Sequence, residues 1–371
     1  MRQGKLRKVV LTSDWHLTNR SSRFRKDEFG VSDFLKHQLS FLDWLLALSS
    51  ELGAQELWNL GDYVDYTVMD VISLNKVLES MATLVKDGPP NQIILEGNHC
   101  IGDKANNHTI LRGIDHVISL GRHGGRNIDL VASPCVSQEW DNVAIYSIPY
   151  MGTEEEMKQC IGRFNEAAHK VKASGKYTIL LFHYPTSNAI LDNGIKAPEG
   201  FILRPEMVDG FTYVFGGDYH TYQQLLGLDN AWYVGSPFDL KFGEHQPRGV
   251  LVLDFSKEEP TLERILYEDG YNFLTMEYDE AVEWSGDRSK VVLRVNIHDI
   301  KSQPIAPLRK SGYYSVVPSI QKVQPTEVEA LSLEATSQVD DVELILSQVD
   351  TKDKSLISQA RELMAQLAGG V

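Results

Sequence analysis

Five short polar clusters constrain this chain most, because each one directly follows an apolar run that has the length of a buried strand. The clusters are Asp14-Trp15-His16, Gly61 to Asp65, Gly97-Asn98-His99, His183, and Gly216 to His220. In α/β sheets, the loops at the carboxyl ends of the strands converge, so five such clusters can meet at one point. The sequence therefore predicts a layered α/β or α+β fold with one shared site.

The potential metal ligands in these clusters are carboxylates, imidazoles and an amide, without a thiol. Such donors suit manganese, iron or zinc at a catalytic centre better than they suit a structural zinc site. Each cluster alone is a weak signal, because Gly-Asp and Gly-Asn are ordinary turns and a lone histidine is usually structural. The ordered series of five is what predicts a metal centre.

Helical patterns separate the apolar runs. The spacing of apolar residues predicts helices over 33–50 and 69–86, and the capping box formed by Thr153 and Glu156 predicts the start of a third. Strands are predicted over 8–12, 57–60, 93–95, 143–148, 177–182, 213–215, 232–234 and 250–255. This order favours sheets whose surfaces are covered by helices.

The composition changes near Ser256, where a charged stretch precedes a segment with its own strands, notably Lys290 to Ile297. We therefore predict three parts: a main domain over 1–255, a small second domain over 256–322, and a tail over 323–371. The tail contains a linker and two amphipathic helices, over 340–349 and 355–367. This helical hairpin must cover its apolar stripe, either on the chain's own body or on a partner.

Charge and cysteine content restrict the class of protein further. A formal net charge of −15 argues against general electrostatic binding of nucleic acid, although bound cations or a basic partner would still attract phosphate. The three cysteines are scattered, as is typical of reduced thiols in a cytosolic protein. Since no apolar stretch approaches the length of a membrane span, we expect a cytoplasmic protein without membrane attachment. The compact tail favours a bacterial or phage origin, so the cytosol would be that of a bacterium or of a phage-infected host.

The motif order resembles that of the calcineurin-like metallophosphoesterases, over about residues 8–255. The motifs are Asp-x-His, Gly-Asp-x-x-Asp, Gly-Asn-His, a lone His and Gly-x-x-His. Further stretches resemble the SbcD branch of DNA repair and recombination nucleases: Phe41 to Leu45, Tyr233 to Pro237, Phe242-Gly243-Glu244 and Arg248-Gly249-Val250. The resemblance implies a β-sandwich flanked by helices over 1–255, a small α/β capping domain that positions DNA over 256–322, and a helical tail over 323–371.

The resemblance also implies a site for two divalent metal ions, with manganese expected and magnesium, iron or zinc as alternatives. The implied ligands are Asp14, His16 and His220 for one ion, Asn98, His183 and Asp218 for the other, and Asp62 as the bridge. The ions would activate a water molecule as hydroxide. The catalytic residue His99 would not be a ligand, but would face the scissile phosphate and stabilise or protonate the departing oxygen.

Two positions depart from the family's pattern. Asp218 stands where the family usually has histidine, although a carboxylate can still bind manganese or magnesium. Cys100 stands where the family usually has an acidic residue that orients the catalytic imidazole, and Asp103 or another carboxylate would have to replace it. Both departures favour an altered or weakened enzyme.

The resemblance implies a DNA exonuclease and endonuclease subunit of an SbcCD-type complex. Its partners would be DNA, a second copy of the chain, and an SbcC-type ABC ATPase that binds the C-terminal helices. The apolar faces of the helices over 33–50 and 69–86 are the first candidates for dimer packing. Two alternatives stay open: a metallophosphodiesterase for a small substrate such as a cyclic nucleotide, and a weakly catalytic scaffold that binds DNA and the ATPase.

Overall fold

The apolar runs of the sequence form strands in the computed structural model, which describes nine ranges of the chain. These are residues 4–19, 23–65, 69–103, 108–109, 127–191, 194–198, 200–244, 246–299 and 301–320. The tail predicted over 323–371 lies outside the described residues, so its helical hairpin stays a prediction. Within the described ranges, no helix has the length and apolar character that crossing a bilayer requires.

The described chain consists mainly of short strands, with helices between some of them. The strands are β1 (Lys8–Thr12), β2 (Glu56–Asn59), β3 (Asn91–Leu95), β4 (Ile101–Asp103), β5 (His108–Thr109), β6 (Asn127–Val131), β7 (Cys135–Glu139), β8 (Val143–Ile148), β9 (Tyr177–His183), β10 (Tyr213–Gly217), β11 (Gln223–Gln224), β12 (Ala231–Tyr233), β13 (Gly249–Asp254), β14 (Thr261–Leu266), β15 (Asn272–Glu277), β16 (Val291–Ile297) and β17 (Ser315–Ile320). The helices are α1 (Asp33–Glu51), α2 (Val71–Asp87), α3 (Glu154–Lys172), α4 (Pro205–Val208), α5 (Tyr278–Glu283) and α6 (Ile305–Lys310).

Two six-stranded sheets pack face to face. The strand order is β14-β13-β1-β2-β3-β6 in the first sheet and β11-β12-β10-β9-β8-β7 in the second. Parallel pairing joins β1, β2, β3 and β6 in the first sheet and β8, β9, β10 and β12 in the second. Side chains from both sheets share one core, among them the fully buried Leu11, Trp58, Ile179 and Phe215. The predicted β-sandwich is confirmed.

Helices cover the outer face of each sheet, as the apolar spacing predicts. Phe41 and Leu45 of α1 join a core on the first sheet, and Met157 of α3 joins a core on the second. The capping box at the start of α3 forms as expected: Thr153 Oγ1 accepts from the Glu156 N–H at 3.3 Å and donates to its carboxylate at 2.9 Å. The four layers therefore follow the order helix, sheet, sheet, helix.

A three-stranded sheet in the order β15-β16-β17 has its own small core, which includes Leu293 and Leu308. The preceding strand β14 belongs instead to the first large sheet, where it pairs with β13 in antiparallel register. The charged stretch after Ser256 is therefore the connection between β13 and β14. The separate sheet begins at Asn272, and the role of residues 256–322 as a capping domain stays a prediction.

His37 on α1 lies buried in a cluster of aromatic rings. Its ring stacks on Tyr267 at 5.6 Å and meets the edges of Phe238 and Tyr271, and its Nε2 has no hydrogen-bond partner among the described residues. Burial, with a smaller effect from the charge of Lys290, lowers the pKa of His37 to about 4. The folded protein therefore keeps this imidazole neutral in mild acid.

We expect His37 to make folding less stable in mild acid. Its pKa in the unfolded chain is about 6.5, so only the unfolded state binds a proton as the pH falls from about 6.5 toward 4. Lowering the pH from about 7.5 to about 5 should decrease the free energy of unfolding in both proteins. The decrease should be about 2 kcal/mol smaller in His37→Phe than in wild type. Urea unfolding at both pH values measures this difference. Equal losses in both proteins would contradict the prediction, and His298→Phe is the exposed control.

Candidate metal centre

The loops that follow β1, β2, β3, β9 and β10 bring every predicted site residue into one cluster. Each of these side chains or its backbone contacts another member: Asp14, His16, Asp62, Asn98, His99, His183, Asp218 and His220. Strands β1, β2 and β3 run parallel to one another in the first sheet, and β9 and β10 do so in the second. Contacts such as that between His183 and Asp62 show that the carboxyl ends of both sets meet at one end of the sandwich. Convergence of the five clusters is thus as expected, while the roles of the residues as ligands stay predictions.

Backbone strain is concentrated in this cluster. In the described part of the chain, the non-glycine residues with positive φ are Asp14 (53°), His16 (46°), Asp62 (47°) and Asp218 (106°). Each such residue costs roughly 1–3 kcal/mol and persists only when its surroundings hold it. Here the Asp14 N–H donates to the Gly61 carbonyl at 3.0 Å, and the His16 N–H donates to the Asp62 carbonyl at 2.9 Å. These strained backbone conformations direct the side chains into the cluster.

One potential metal-binding group consists of Asp14, His16 and His220, whose ligand atoms lie within 4.8 Å of one another. This is the set that the resemblance implies for one ion. Both ring nitrogens of His16 are buried, and neither makes a hydrogen bond with the described residues. Since buried polar atoms are rarely left without a partner, an imidazole in this state fits a ligand to a metal ion.

A second group consists of Asp14, Asp62 and His183, again within 4.8 Å. His183 Nδ1 donates to the Leu60 carbonyl at 2.6 Å, which directs Nε2 toward Asn98 Oδ1 at 3.0 Å and Asp62 Oδ2 at 3.4 Å. Burial opposes a charge on His183, but Asp62, with smaller effects from neighbouring carboxylates, raises its pKa to about 10. Because the carboxylates of this cluster favour a positive charge so strongly, and because oxygen and imidazole donors suit divalent metal ions, the cluster fits divalent cations.

Asp218 lies in the cluster despite departing from the family's pattern. Its backbone N–H donates to Asp14 Oδ1 at 3.2 Å, and its Oδ1 is 3.9 Å from His183 Nε2. Burial, together with the charges of Asp14 and Asp62, raises the pKa of Asp218 to about 6, although His183 opposes this. A bound cation would remove that penalty, so a carboxylate fits this position.

His99 lies at the exposed edge of the centre, on the turn Asn98–Cys100. Its backbone N–H donates to Asp62 Oδ1 at 2.9 Å, and its Nδ1 lies 2.7 Å from the carbonyl oxygen of Asp65. Because a carbonyl oxygen only accepts, Nδ1 donates, and Nε2 is left for contact with a substrate. His99 also lies within 4.8 Å of ligand atoms of His16 and Asp62, so it borders the predicted ions directly.

The orientation of His99 comes from Asp65, a residue to which the sequence analysis assigned no role. Its carboxylate is 3.4 Å from His16 Nδ1 and 3.8 Å from His99 Nδ1. Cys100 is fully buried, and burial raises the pKa of its thiol to about 12, so it stays neutral and cannot replace a carboxylate. The side chain of Asp103 lies outside the described residues. The signal for Asp65 was present as the second aspartate of Gly-Asp-x-x-Asp.

A buried network behind His220 was also missed. His220 Nδ1 lies 2.7 Å from Glu244 Oε1, Arg248 Nη2 lies 3.2 Å from Glu244 Oε2, and Arg248 Nε donates to Asp239 at 2.7 Å. Despite burial, His220 and Arg248 lower the pKa of Glu244 to about 2. The charged Glu244 therefore holds the proton of His220 on Nδ1 and leaves Nε2 for the centre, as carboxylates behind metal-bound histidines do.

Glu244→Gln is expected to weaken binding of manganese about 10–100-fold. Glu244 accepts from His220 through one oxygen and from the Leu240 N–H, at 2.7 Å, through the other. The NH₂ group of glutamine cannot accept, so one of these hydrogen bonds would be lost and His220 would lose its fixed orientation. Calorimetric titration of the metal-free protein with manganese measures the change. The control is Glu263→Gln, which changes an exposed glutamate on β14. Unchanged affinity in a folded Glu244 variant would rule out this role.

Comparison with known proteins identifies the family. The model of the calcineurin-like phosphoesterases matches residues 7–222, more than half of the 371-residue chain. The chain therefore belongs to the calcineurin-like phosphoesterase family. This membership indicates a hydrolase that acts on phosphoester bonds.

Two individual proteins are similar to parts of the chain. An uncharacterized protein of Acanthamoeba polyphaga mimivirus is 30% identical over 108 residues, which are 29% of this chain and 8% of the relative. The chain thus spans only a small part of that relative's length. The structure of a dimetal phosphatase from Danio rerio has a TM-score of 0.44 and 10% identity, over 70% of this chain and 96% of the phosphatase.

Proposed function

We propose that this chain is the metal-dependent nuclease subunit of an SbcCD-type complex, which hydrolyses phosphodiester bonds of DNA. One observation carries the catalytic part of this proposal. Two groups of potential ligands share Asp14, and Asp62 of the second group lies 3.6 Å from His16 of the first, as a pair of neighbouring metal ions requires. A partly exposed imidazole borders them. Manganese is the proposed metal, because carboxylate, amide and imidazole donors suit it.

The proposed roles of the residues follow from their positions. Bound divalent ions would supply an activated water and offset the charge of the phosphate. The ligands would be Asp14, His16 and His220 for one ion, Asn98, His183 and Asp218 for the other, and Asp62 for both. His99, fixed through Nδ1 by the Asp65 carbonyl, would hold a proton on Nε2 for the departing oxygen.

Support for DNA as the substrate comes from the surroundings of the centre. A cavity of about 490 Å³ reaches Asp218 and His220, and this volume suits a nucleotide. The stretches that resemble SbcD nucleases contribute Glu244 and Arg248 to the network behind His220. These residues link that resemblance to the chemistry of the site.

The proposed assembly adds a second copy of the chain and an ABC ATPase, in the cytoplasm of a bacterium or an infected host. Exposed apolar side chains support a dimer surface near the start of α2: Phe29 is 74% exposed, Val71 72% and Leu74 39%. The ATPase would bind the helices of the tail, which lie outside the described residues. The tail's amphipathic pattern supports this part of the proposal.

The test is metal-dependent digestion of linear duplex and single-stranded DNA. The protein is stripped with a chelator and then supplied with manganese, magnesium, iron or zinc, with cyclic AMP as a parallel substrate. We expect digestion of DNA that requires the added metal and is fastest with manganese. If DNA stays intact with each metal, even with a copurified ATPase and ATP, the nuclease proposal is wrong. Hydrolysis of cyclic AMP alone would then indicate a small-substrate phosphodiesterase.

A further inference from the structure

The cavity beside the candidate metal centre has a wall that the catalytic proposal does not use. Asp218 and His220 face the cavity on one side, and Tyr219, Lys241 and Phe242 line it elsewhere. Lys241 is exposed and follows directly on the buried Asp239 region. A cation and two aromatic rings therefore lie next to the point where phosphate would react.

Two arginines from distant parts of the chain meet at Phe242. The guanidinium carbon of Arg294, on β16, lies 4.1 Å from the centroid of the Phe242 ring, and that of Arg23 lies 5.0 Å from it. Phe242 is itself fixed by an edge contact with Phe273 at 5.4 Å. Cation–π contacts of this kind orient guanidinium groups, so two oriented cations pack against a residue that lines the cavity.

These cations repel one another. Burial, with a further effect from the charge of Arg294, lowers the pKa of Arg23. Within the described ranges, neither Lys241 nor Arg294 forms an ion pair with a carboxylate. In a chain with a net charge of −15, such a group of like charges favours a bound anion.

We propose that Lys241, Arg23 and Arg294 bind a phosphate group that flanks the scissile phosphodiester of a nucleic-acid strand. This flanking-phosphate subsite rests on the proposed function and specifies its substrate class. The substrate is a strand with at least one phosphate beyond the reacting one, which excludes a cyclic mononucleotide as the preferred substrate. The planar donors of arginine match phosphate oxygens, and the cavity beside them has room for the intervening nucleotide.

The first test measures binding without catalysis. The probe is a fluorescent five-nucleotide thymidine strand with phosphorothioate linkages, titrated with the full chain in manganese and followed by anisotropy. Arg294→Gln and Lys241→Gln should each raise Kd about 10-fold or more. Each should also reduce the slope of log Kd against log salt concentration by about 1, as expected for the loss of one phosphate contact. Lys241 is exposed, so its variant is informative even if Arg294→Gln folds poorly. The control is Arg309→Gln, an exposed arginine on α6.

The second test compares hydrolysis of a thymidine strand with that of bis(4-nitrophenyl) phosphate, which has one phosphate. The variants should lower kcat/KM for the strand about 10-fold and leave the single diester within about twofold. Equal binding by wild type and variants, or an equal loss in Arg309→Gln, would overturn the subsite. Binding that the variants weaken, without hydrolysis of either substrate by wild type, would support the subsite and overturn the proposed catalytic function.

Discussion

Asp62→Asn is expected to lower the rate of phosphodiester hydrolysis about 10³-fold or more. Asp62 Oδ2 lies 3.4 Å from His183 Nε2 and 3.6 Å from His16 Nε2, so its charge serves both halves of the predicted centre. Metal ions contribute several kcal/mol of stabilisation to charge in the transition state, and about 4 kcal/mol corresponds to about 10³ in rate. An amide at this position would lose the charge that we expect to hold the predicted ions.

The geometry makes asparagine an informative replacement for Asp62. The side chain is buried, and a Cβ added at Gly97 would lie only 2.1 Å from Asp62 Oδ1, so a larger residue would not fit. Asparagine keeps the volume and can still accept the His99 N–H through its oxygen. The fold should therefore survive while the charge is lost.

The Asp62 experiment measures the rate and the metal content of the same preparation. We expect the variant to retain less manganese after dialysis and to lose hydrolysis of both DNA and bis(4-nitrophenyl) phosphate. Asp279→Asn, an exposed aspartate on α5, controls for the loss of one negative charge. Full activity in Asp62→Asn would show that the reaction occurs elsewhere.

The centre was predictable from the sequence because its residues follow strands whose directions are fixed by pairing. Lys8–Thr12 forms the predicted strand, and Asp14 follows it at the end of the sheet where Asp62 also lies. The end of a strand can be located from the sequence in two ways, by the end of the apolar run and by the polar motif that follows it. No knowledge of how the loops fold was needed to expect that these side chains meet.

Contacts between loops were not predictable in this way. Glu244 reaches His220 across 24 positions, and periodicity carries no information about how an irregular segment turns back. The motif Gly-Asp-x-x-Asp marks Asp65 as a residue of interest, but it does not reveal that the contact with His99 runs through the backbone carbonyl of Asp65. Arg23 and Arg294 meet at Phe242 only because the small sheet lies beside the loop after β12.

The change in composition at Ser256 shows how far charged residues and proline can be used to predict a domain boundary. Charge and proline marked a turn correctly, because a connection between strands lies on the surface. The next strand nevertheless returns to the same sheet, with Asp254 paired to Thr261. A polar connection marks the end of an element, whereas the end of a domain depends on which sheet the next strand joins.

His99→Ala is expected to lower the rate of DNA hydrolysis about 10²–10⁴-fold while the protein retains its manganese. The imidazole is 38% exposed in its side chain and donates through Nδ1 to the Asp65 carbonyl, so Nε2 is positioned to give a proton to the departing oxygen. The loss should be much smaller with bis(4-nitrophenyl) phosphate, because 4-nitrophenolate departs without needing a proton.

This difference between substrates separates the possible roles of His99. Rates for both substrates and the manganese content are measured in His99→Ala and in His298→Ala, which changes an exposed histidine. Equal losses with both substrates would contradict proton donation and assign His99 to binding of the phosphate. Loss of manganese would instead make His99 a ligand, in the group that it forms with His16 and Asp62.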